Sequence, residues 1–316
     1  MTELALAAFA SETGTHLVRP PGTRQWHMYV RSFDARTYLG ALAARGFRFV
    51  ARSTPAFPPG LRAIHDPPPG LFVRGAADLE LLARPAVAIV GARACSGYGA
   101  SVARMLGREL AAAGLVVVSG LARGVDAEAH RGALDAGGCT VAVLGCGVDR
   151  DYPAAHAQLA RRIAASGLVV SEYAPGVTPT AWRFPARNRI IAGLCTATVV
   201  VEARERSGAL ITADLALEGG REVFAVPGEI GSALSVGTNA LLKLGASPLT
   251  AADDVLSLYG LTTETTEEPD ELVDLLPATA DELVGRTGLP AAEIARRLVE
   301  LELAGRITEH DGVYRS

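Results

Sequence analysis

Six short runs of apolar, largely β-branched residues recur between residues 86 and 228 of this 316-residue chain. They span residues 86–91, 115–120, 140–145, 168–174, 196–203 and 222–228. Continuous rather than alternating apolarity is typical of strands that are buried on both faces. Helical patterns, such as residues 99–114, separate most of the runs. The sequence therefore predicts an α/β fold, with an extended Rossmann-like, doubly wound and mostly parallel sheet.

The region before the sheet has a weaker periodicity. Residues 1–80 predict a small, atypical N-terminal domain, helical or α+β, that ends in a connector. Within it, residues 33–50 predict a helix followed by a strand. Residues 57–75 are so rich in proline that we expect an extended connector without regular structure.

We assign the sheet to a domain of residues 81–260, after which the composition changes. Residues 261–271 are polar and acidic, which is typical of a linker. Residues 272–316 predict two helices and then a hairpin that turns at Asp311-Gly312. This order of elements is the pattern of a C-terminal winged-helix domain.

Charge and cysteine usage restrict the possible functions. The formal net charge is −4, so any nucleic-acid site must be a local groove rather than a generally basic surface. The four cysteines form no CxxC pair and have no spaced histidine partners, which argues against zinc and redox motifs. The sequence contains neither a signal-peptide pattern nor an uninterrupted apolar span. We expect a cytoplasmic protein without a metal, a cofactor or a membrane segment.

Ligands of open parallel sheets bind at the carboxyl ends of the strands, so the loops that follow the strands are the candidate site. In the first loop, Gly91 permits a close turn, and Ser96 and Gly97 lie where the next helix begins. The free N–H groups of a helix N-terminus favour an anion, and Arg93 could complete a phosphate site. A glycine turn that serves packing alone is the alternative.

The next two strand-end loops combine glycines with polar side chains. Ser119 and Gly120 could face a ligand, and Asp126 could cap the following helix. No nucleophile lies at a characteristic spacing from Glu128 and His130. A structural role for His130 is therefore favoured over a role in acid–base catalysis. In the third loop, the alternating charges of residues 149–151 are expected to hold neighbouring loops together.

Residues 182–191 place arginines beside aromatic residues in an otherwise acidic chain. Such a combination suits gripping phosphates and stacking bases, whereas the alternative is a solvated helix start whose aromatic residues belong to the core. Pro185 suits the first turn of a helix, which puts Arg187 and Arg189 in its early turns. Because arginine there opposes the helix dipole, we expect an external anion.

A further helix is predicted to begin at Ser207 and Gly208, which adds another N-terminus that could face an anion. No set of these loops supplies a nucleophile–base pair or a metal cluster, so the inventory suits binding better than catalysis.

Taken together, these loops resemble the DprA/Smf family of DNA-processing proteins. The matching motifs are AIVGARACSGYG, SGLARGVDAEAH, VAVLGCGVDRDYP, SEYAPG, FPARNRIIAGL, VVEARERSGALITADLALEGGREVFAVPG and GTNALLKLGA. They occur in the family's order across residues 57–250, and a family-like winged-helix tail follows. The resemblance implies a dimeric, non-enzymatic protein that binds single-stranded DNA. It would load RecA recombinase onto incoming DNA in natural transformation, displace single-strand-binding protein and protect the strand.

The resemblance also implies roles for individual residues. Phe184 would stack a base, Asn188 would support the pocket, and Arg183 would replace a lysine that relatives often carry nearby. The residues that would line phosphates are Gly91, Arg93, Ser96, Gly97, Ser119, Gly120 and Arg187.

The chain departs from the family pattern at both ends. Residues 1–56 lack the family's PGIG pattern, so we assign no DNA binding to them. Residues 264–316 carry eight acidic residues before their first arginine, Arg286, and the second predicted helix of the tail has Glu293, Glu300 and Glu302 against two arginines. A duplex-reading helix should instead neutralise phosphates. We therefore expect the winged helix to contact protein rather than duplex DNA.

Two other classes of function have less support in the sequence. A lysine-decarboxylase-like phosphoribohydrolase would carry PGGxGTxxE, whereas the nearest stretch here, residues 202–212, lacks the paired glycines. A winged-helix transcription regulator is disfavoured by the acidic tail.

The apolar run 223–245 is the candidate dimer interface, since large apolar patches are rarely left exposed. Its candidate contact residues are Val223, Leu234, Leu241 and Leu242. The alternative is that the helix at residues 238–245 simply covers the sheet.

Overall fold

The computed structural model describes residues 2–262, 271–303, 307–310 and 312–315, and it divides the chain into two units, residues 1–263 and 264–316. The larger unit begins with three helices, α1 (Thr2–Thr13), α2 (Arg24–Ser32) and α3 (Ala35–Ala44), followed by strand β1 (Phe47–Ala51). The prediction of a helix and a strand within residues 33–50 is thereby confirmed. Asp34 starts α3 because its carboxylate accepts hydrogen bonds from the amides of Arg36 and Thr37.

The prediction that residues 57–75 lack regular structure is wrong. They contain a short helix, α4 (Pro59–Arg62), and a strand, β2 (Gly70–Arg74), that pairs antiparallel with β1. Proline is compatible with both elements here, since Pro59 occupies the first turn of α4 and the last proline, Pro69, precedes β2 instead of interrupting it.

Seven parallel strands form the rest of a nine-stranded sheet. They are β3 (Ala86–Val90), β4 (Val116–Ser119), β5 (Thr140–Val143), β6 (Leu168–Ser171), β7 (Ala197–Val200), β8 (Glu222–Ala225) and β9 (Ser247–Pro248). The order across the sheet is β1-β2-β6-β5-β4-β3-β7-β8-β9, and β2 joins β6 in antiparallel pairing. Every residue of β3 to β7 is buried, which confirms the mostly parallel, doubly wound sheet.

Helices cover both faces of the sheet. They are α5 (Gly97–Ala112), α6 (Val125–Asp135), α7 (Ala157–Ser166), α8 (Arg183–Leu194), α9 (Gly208–Glu218), α10 (Val236–Lys243) and α11 (Ala252–Leu256). One core cluster joins the strands to α8, α9 and α10, and a second joins alternate strand residues to α5, α6 and α11.

The candidate interface residues lie largely inside this core. Val223 is 2% exposed and Leu241 is 5% exposed, and both belong to the cluster beneath α8 and α9. These two side chains cannot meet a partner in this conformation, because α10 covers the sheet at this point. Leu242 also packs against the cluster, and Leu234 is half-buried. The dimer itself stays a prediction.

The smaller unit has the winged-helix arrangement. Its helices are α12 (Glu271–Asp274), α13 (Ala280–Thr287) and α14 (Ala291–Leu303), and strands β10 (Ala278–Thr279), β11 (Thr308–His310) and β12 (Val313–Arg315) form a sheet of order β10-β12-β11. Thr279 and Glu282 form a capping box at the start of α13. Asp311 and most of the predicted linker, residues 263–270, lie outside the described residues.

Candidate nucleic-acid interface

Two cavities meet at Phe184, at the carboxyl ends of the parallel strands. We call the first, of about 350 Å³, the arginine cavity; its lining includes Gly91, Arg93, Phe184, Arg187, Asn188, Arg204, Arg206, Ser207 and Gly208. We call the second, of about 370 Å³, the tyrosine cavity; its lining includes Arg93, Gly120, Arg123, Gly145, Cys146, Tyr152, Phe184 and Arg187. The surface at the strand ends is therefore concave, as a binding site there requires. Both cavities are lined by Arg93, Phe184 and Arg187.

Arg187 forms the floor between the cavities. It is 4% exposed, and its guanidinium donates hydrogen bonds to the carbonyl oxygens of Gly120 (2.8 Å) and Val143 and to Oδ1 of Asn188 (3.3 Å). A Cβ atom on Gly120 would overlap this guanidinium, so a larger residue there would displace Arg187 from its present position. Burial lowers the pKa of Arg187 to about 10, which leaves it cationic at neutral pH.

Asp126 shapes the loop beside Arg187 rather than capping a helix end. Its Oδ2 atom accepts hydrogen bonds from the amides of Gly120 (3.1 Å) and Ala122 (3.2 Å), and the N-cap of α6 is Gly124. Burial raises the pKa of Asp126. Ser119 is fully buried and donates to the carbonyl oxygen of Ile89 (2.6 Å). The Ser119 hydroxyl therefore joins neighbouring strands and is not presented to a ligand.

The anion expected at the start of α5 is supplied by the chain itself. The carboxylate of Glu202 accepts hydrogen bonds from the Ser96 amide (2.9 Å) and the Ser96 hydroxyl (2.5 Å). Gly99 makes room for it, because a Cβ atom there would overlap that carboxylate. Ser96 and Gly97 line neither cavity. The amide and hydroxyl of Ser96 are thus occupied by an internal carboxylate, and contact of Ser96 and Gly97 with phosphate stays a prediction.

Phe184 lies half-buried at the centre of the site. Its ring stacks on Tyr152, with ring centroids 5.4 Å apart and planes 25° apart. The guanidinium carbon of Arg93 lies 5.5 Å from the centre of the Phe184 ring. Arg93 is exposed, and no described residue forms an ion pair with it. An aromatic face and an exposed cation therefore occur side by side, a combination that is typical of sites for unpaired nucleotides.

The other two arginines of α8 turn away from the cavities. Arg183 donates to the carbonyl oxygen of Thr178 (2.6 Å), and its guanidinium lies 5.0 Å from the Tyr173 ring and 5.2 Å from the Trp182 ring. The structure does not bring Arg183 together with Arg93 and Arg187. Arg189 binds both carboxylate oxygens of Glu172, at 2.7 and 2.8 Å. The anion expected beside Arg189 is therefore an internal carboxylate, not an external ligand.

Three arginines and one tyrosine of the lining were not among the predicted site residues. Arg204 and Arg206 are exposed at the arginine cavity, and Arg123 and Tyr152 stand at the tyrosine cavity. The sequence held a signal for the three arginines, since each lies in the loop between a buried strand and the next helix. The amide of Asn188 donates to the carbonyl oxygen of Gly208 (3.1 Å) at the start of α9, and its support of the pocket stays a prediction.

Potential catalytic or metal-binding groups are few in this structure. Among the residues described, no three His, Cys, Asp or Glu side chains come close enough to hold a metal ion. None of the described helices combines the length and apolarity needed to cross a membrane. Among the described lining residues, the arginine cavity has one carboxylate, that of Asp126, and the tyrosine cavity has none. The Asp126 carboxylate accepts hydrogen bonds from two backbone amides.

His130 has the structural position that was favoured for it. It is fully buried, and its Nδ1 lies 2.7 Å from Oγ1 of Thr140. That hydroxyl donates to the carbonyl oxygen of Val117 (2.6 Å), so it accepts from an Nδ1–H group. Burial lowers the pKa of His130 to about 3, which keeps the ring neutral.

Mild acid is expected to destabilise the protein through His130. Below pH 6.5 His130 is protonated in the unfolded chain but stays neutral in the folded protein. Acid therefore favours the unfolded state, and the free energy of unfolding falls as pH falls. The slope approaches about 1.4 kcal/mol per pH unit between pH 6.5 and 3. Urea unfolding at pH 7.0 and 5.0 measures it, with His130→Asn as the non-titrating control. An equal loss of stability in wild type and variant would contradict this assignment.

Comparisons with known proteins agree with this architecture. A family model described as DNA recombination-mediator protein A matches residues 48–260, and one described as DprA winged helix domain matches residues 261–313. DNA processing protein DprA of Streptococcus pneumoniae is 49% identical over 203 residues, which are 64% of this chain and 71% of that protein. Protein Smf of Escherichia coli is 41% identical over 279 residues, 82% of this chain and 74% of that protein.

Solved structures give the same result. The X-ray structure of DprA from Streptococcus pneumoniae superposes with a TM-score of 0.69 at 39% identity, covering 81% of this chain and 92% of that one. DprA from Helicobacter pylori, whose structure describes a single-stranded DNA binding mode, gives a TM-score of 0.61 at 31% identity, covering 68% of this chain and 97% of that one. The chain therefore belongs to the DprA/Smf family of DNA-processing proteins and carries that family's winged-helix domain.

Proposed function

We propose that this protein binds single-stranded DNA in the two cavities around Phe184, and that it does so without catalysing a reaction. The observation that carries the proposal is the half-buried Phe184 ring, which lies within 5.5 Å of the Arg93 guanidinium at the sheet edge where ligands of such folds bind. The single-stranded DNA binding of the Helicobacter pylori relative supports the same ligand here.

Charge at the arginine cavity supports a phosphate backbone as the ligand. Arg93, Arg204 and Arg206 are exposed along its lining, and no described residue forms an ion pair with any of them. Because the whole chain is acidic, this local excess of cations is the place where a polyanion gains most. The strand would contact these arginines through its phosphates while a base stacks on Phe184.

The non-enzymatic part of the proposal rests on what the lining residues do. Asp126 is buried and its carboxylate is hydrogen-bonded to two amides, so it is poorly placed to act as a general base. Incubating the protein with nucleoside monophosphates and assaying for released base tests the phosphoribohydrolase alternative. Base release that is abolished by Asp126→Asn would contradict the non-enzymatic proposal.

Family membership supports a proposal for the cellular role. The protein would act in the cytoplasm as a homodimer, loading RecA recombinase onto incoming single strands, displacing single-strand-binding protein and shielding the DNA from nucleases. The acidic winged helix would contact a protein partner. The test is RecA-driven strand exchange on DNA coated with single-strand-binding protein. We expect faster exchange with the full chain, and no acceleration would contradict the loading role.

Phe184→Ala is expected to weaken binding of a single-stranded oligonucleotide by about 1–3 kcal/mol, the usual contribution of stacking one base on an aromatic side chain. Fluorescence anisotropy measures the change, and the melting temperature should stay near the wild-type value because the ring is only half-buried.

Trp182→Ala is the matched control for Phe184→Ala. Trp182 is 42% exposed, sits two residues away and lines neither cavity. We expect its loss to leave affinity nearly unchanged. Equal effects of the two substitutions would remove Phe184 from the site.

A further inference from the structure

Tyr152 presents an exposed aromatic ring at the mouth of the tyrosine cavity. Its side chain is 43% exposed, although the ring stacks on Phe184 at 5.4 Å. The 5.4 Å between centroids exceeds the separation of two rings stacked face to face, so the rings are offset and each leaves part of its surface uncovered. The two rings therefore form a stepped aromatic surface rather than a closed pair.

The loop that carries Tyr152 is anchored by the three charged residues before it. Asp149 binds the Arg45 guanidinium (3.0 Å) and the Gly176 amide (2.8 Å). Arg150 donates to the carbonyl oxygen of Gly176 (2.9 Å). The prediction that residues 149–151 hold neighbouring loops together is confirmed.

Asp151 completes the anchoring, because its carboxylate binds the guanidinium of Arg74 on β2 (2.7 Å). Tyr152 is thus an exposed aromatic side chain on a loop that is fixed from three directions. An exposed ring on a fixed backbone loses little conformational entropy when a ligand covers it, which favours binding. An aromatic residue needed only for the core would instead be buried.

We propose that Tyr152 and Phe184 together form a platform for two consecutive unpaired bases, one stacked on each ring. This inference rests on the proposed binding of single-stranded DNA and adds a second contact to it. The charges around the rings suit such a dinucleotide, since Arg93 lines both cavities and Arg123 lines the tyrosine cavity. Bases inside a duplex are covered by their neighbours and cannot present a face to either ring, so the platform selects single strands.

The test uses three substitutions at Tyr152 in the full chain. Tyr152→Phe keeps the ring, Tyr152→Leu keeps apolar bulk without an aromatic face, and Tyr152→Ala removes both. Affinity for an oligothymidylate of about 20 nucleotides is compared with affinity for an abasic oligomer that has the same number of phosphates but no bases. We expect Tyr152→Ala and Tyr152→Leu to bind oligothymidylate at least about fivefold more weakly, Tyr152→Phe to match wild type, and all variants to bind the abasic oligomer equally.

Tyr98→Ala is the matched control, because Tyr98 is 57% exposed and lines neither cavity. If Phe184→Ala weakens binding and Tyr152→Ala does not, the platform is wrong while the proposed function stands. If Tyr152→Ala weakens binding to the abasic oligomer as well, the residue supports the loop and the platform is also wrong. Wild-type protein that fails to bind oligothymidylate would reject the proposed function itself.

Discussion

Glu172→Ala is expected to lower the free energy of unfolding by about 3–5 kcal/mol, the usual cost of leaving one member of a buried ion pair without its partner. The side chains of Glu172 and Arg189 are 6% and 9% exposed, and both carboxylate oxygens bind the guanidinium. Removing the carboxylate leaves a buried cation whose remaining ionic contact is Asp66, at 3.4 Å and one-third exposed. Urea unfolding at pH 7 measures the change.

Two controls separate the buried charge from other effects of the substitution. Asp135→Ala breaks ion pairs with Arg104 and Arg162 that are one-third to one-half exposed, so it should cost less than about 1 kcal/mol. The double change Glu172→Leu with Arg189→Met removes both charges and should recover most of the lost stability. A single Glu172→Ala variant as stable as Asp135→Ala would contradict the importance of this pair.

This ion pair also matters for the site, because Arg189 lies on α8 only five residues after Phe184. The Arg189 guanidinium donates through Nε to the carbonyl oxygen of Asp66 (2.9 Å), and Asp66 in turn contacts His16 (2.6 Å). Helix α8, which carries Phe184, is therefore anchored through Arg189 to Asp66 in the segment before β2. We expect Glu172→Ala to weaken DNA binding as well, through α8 rather than through a lost contact.

The six parallel strands β3 to β8 could be predicted because local sequence determines them. A run such as residues 86–91 is buried on both faces wherever it pairs, so apolarity alone identifies it. The antiparallel strand β2 escaped prediction because its neighbouring prolines suggest irregular backbone. Its pairing with β6, where Phe72 lies opposite Ser171, depends on a partner about a hundred residues away.

The same difference between local and distant information applies to the site. Arg93 and Phe184 were predicted correctly to lie at the strand ends, since each follows a recognisable strand and a glycine-containing loop. The partner of Ser96 could not be predicted, because Glu202 belongs to another strand-end loop 106 residues away. The dipole argument for Arg189 identified the need for an anion but could not tell an internal carboxylate from an external phosphate.

Replacing Arg93, Arg204 and Arg206 together with glutamine is expected to reduce affinity for single-stranded DNA about 100-fold at 0.1 M salt. Each phosphate contact on a single strand contributes about 0.7 to the slope of log affinity against log salt, so losing three contacts should make the slope shallower by about 2. All three side chains are exposed at the arginine cavity, so their replacement should leave stability nearly unchanged. Anisotropy titrations from 0.05 to 0.5 M salt, a range chosen to cover about one decade, measure both quantities.

Charge alone must be excluded as the cause, and the chain offers a matched control for it. Arg84, Arg108 and Arg161 are exposed and line neither cavity, so replacing them with glutamine changes the net charge equally. If this control made the slope equally shallow, the protein would bind DNA through its general charge and the arginine cavity would lose its assignment. Arg187 is left out of the set because its guanidinium holds two buried carbonyl oxygens, so its loss would mix unfolding with binding. If only the cavity variant has a shallower slope, the difference gives the number of phosphates that the three exposed arginines bind. Arg187 would then support the site from below without being one of these contacts.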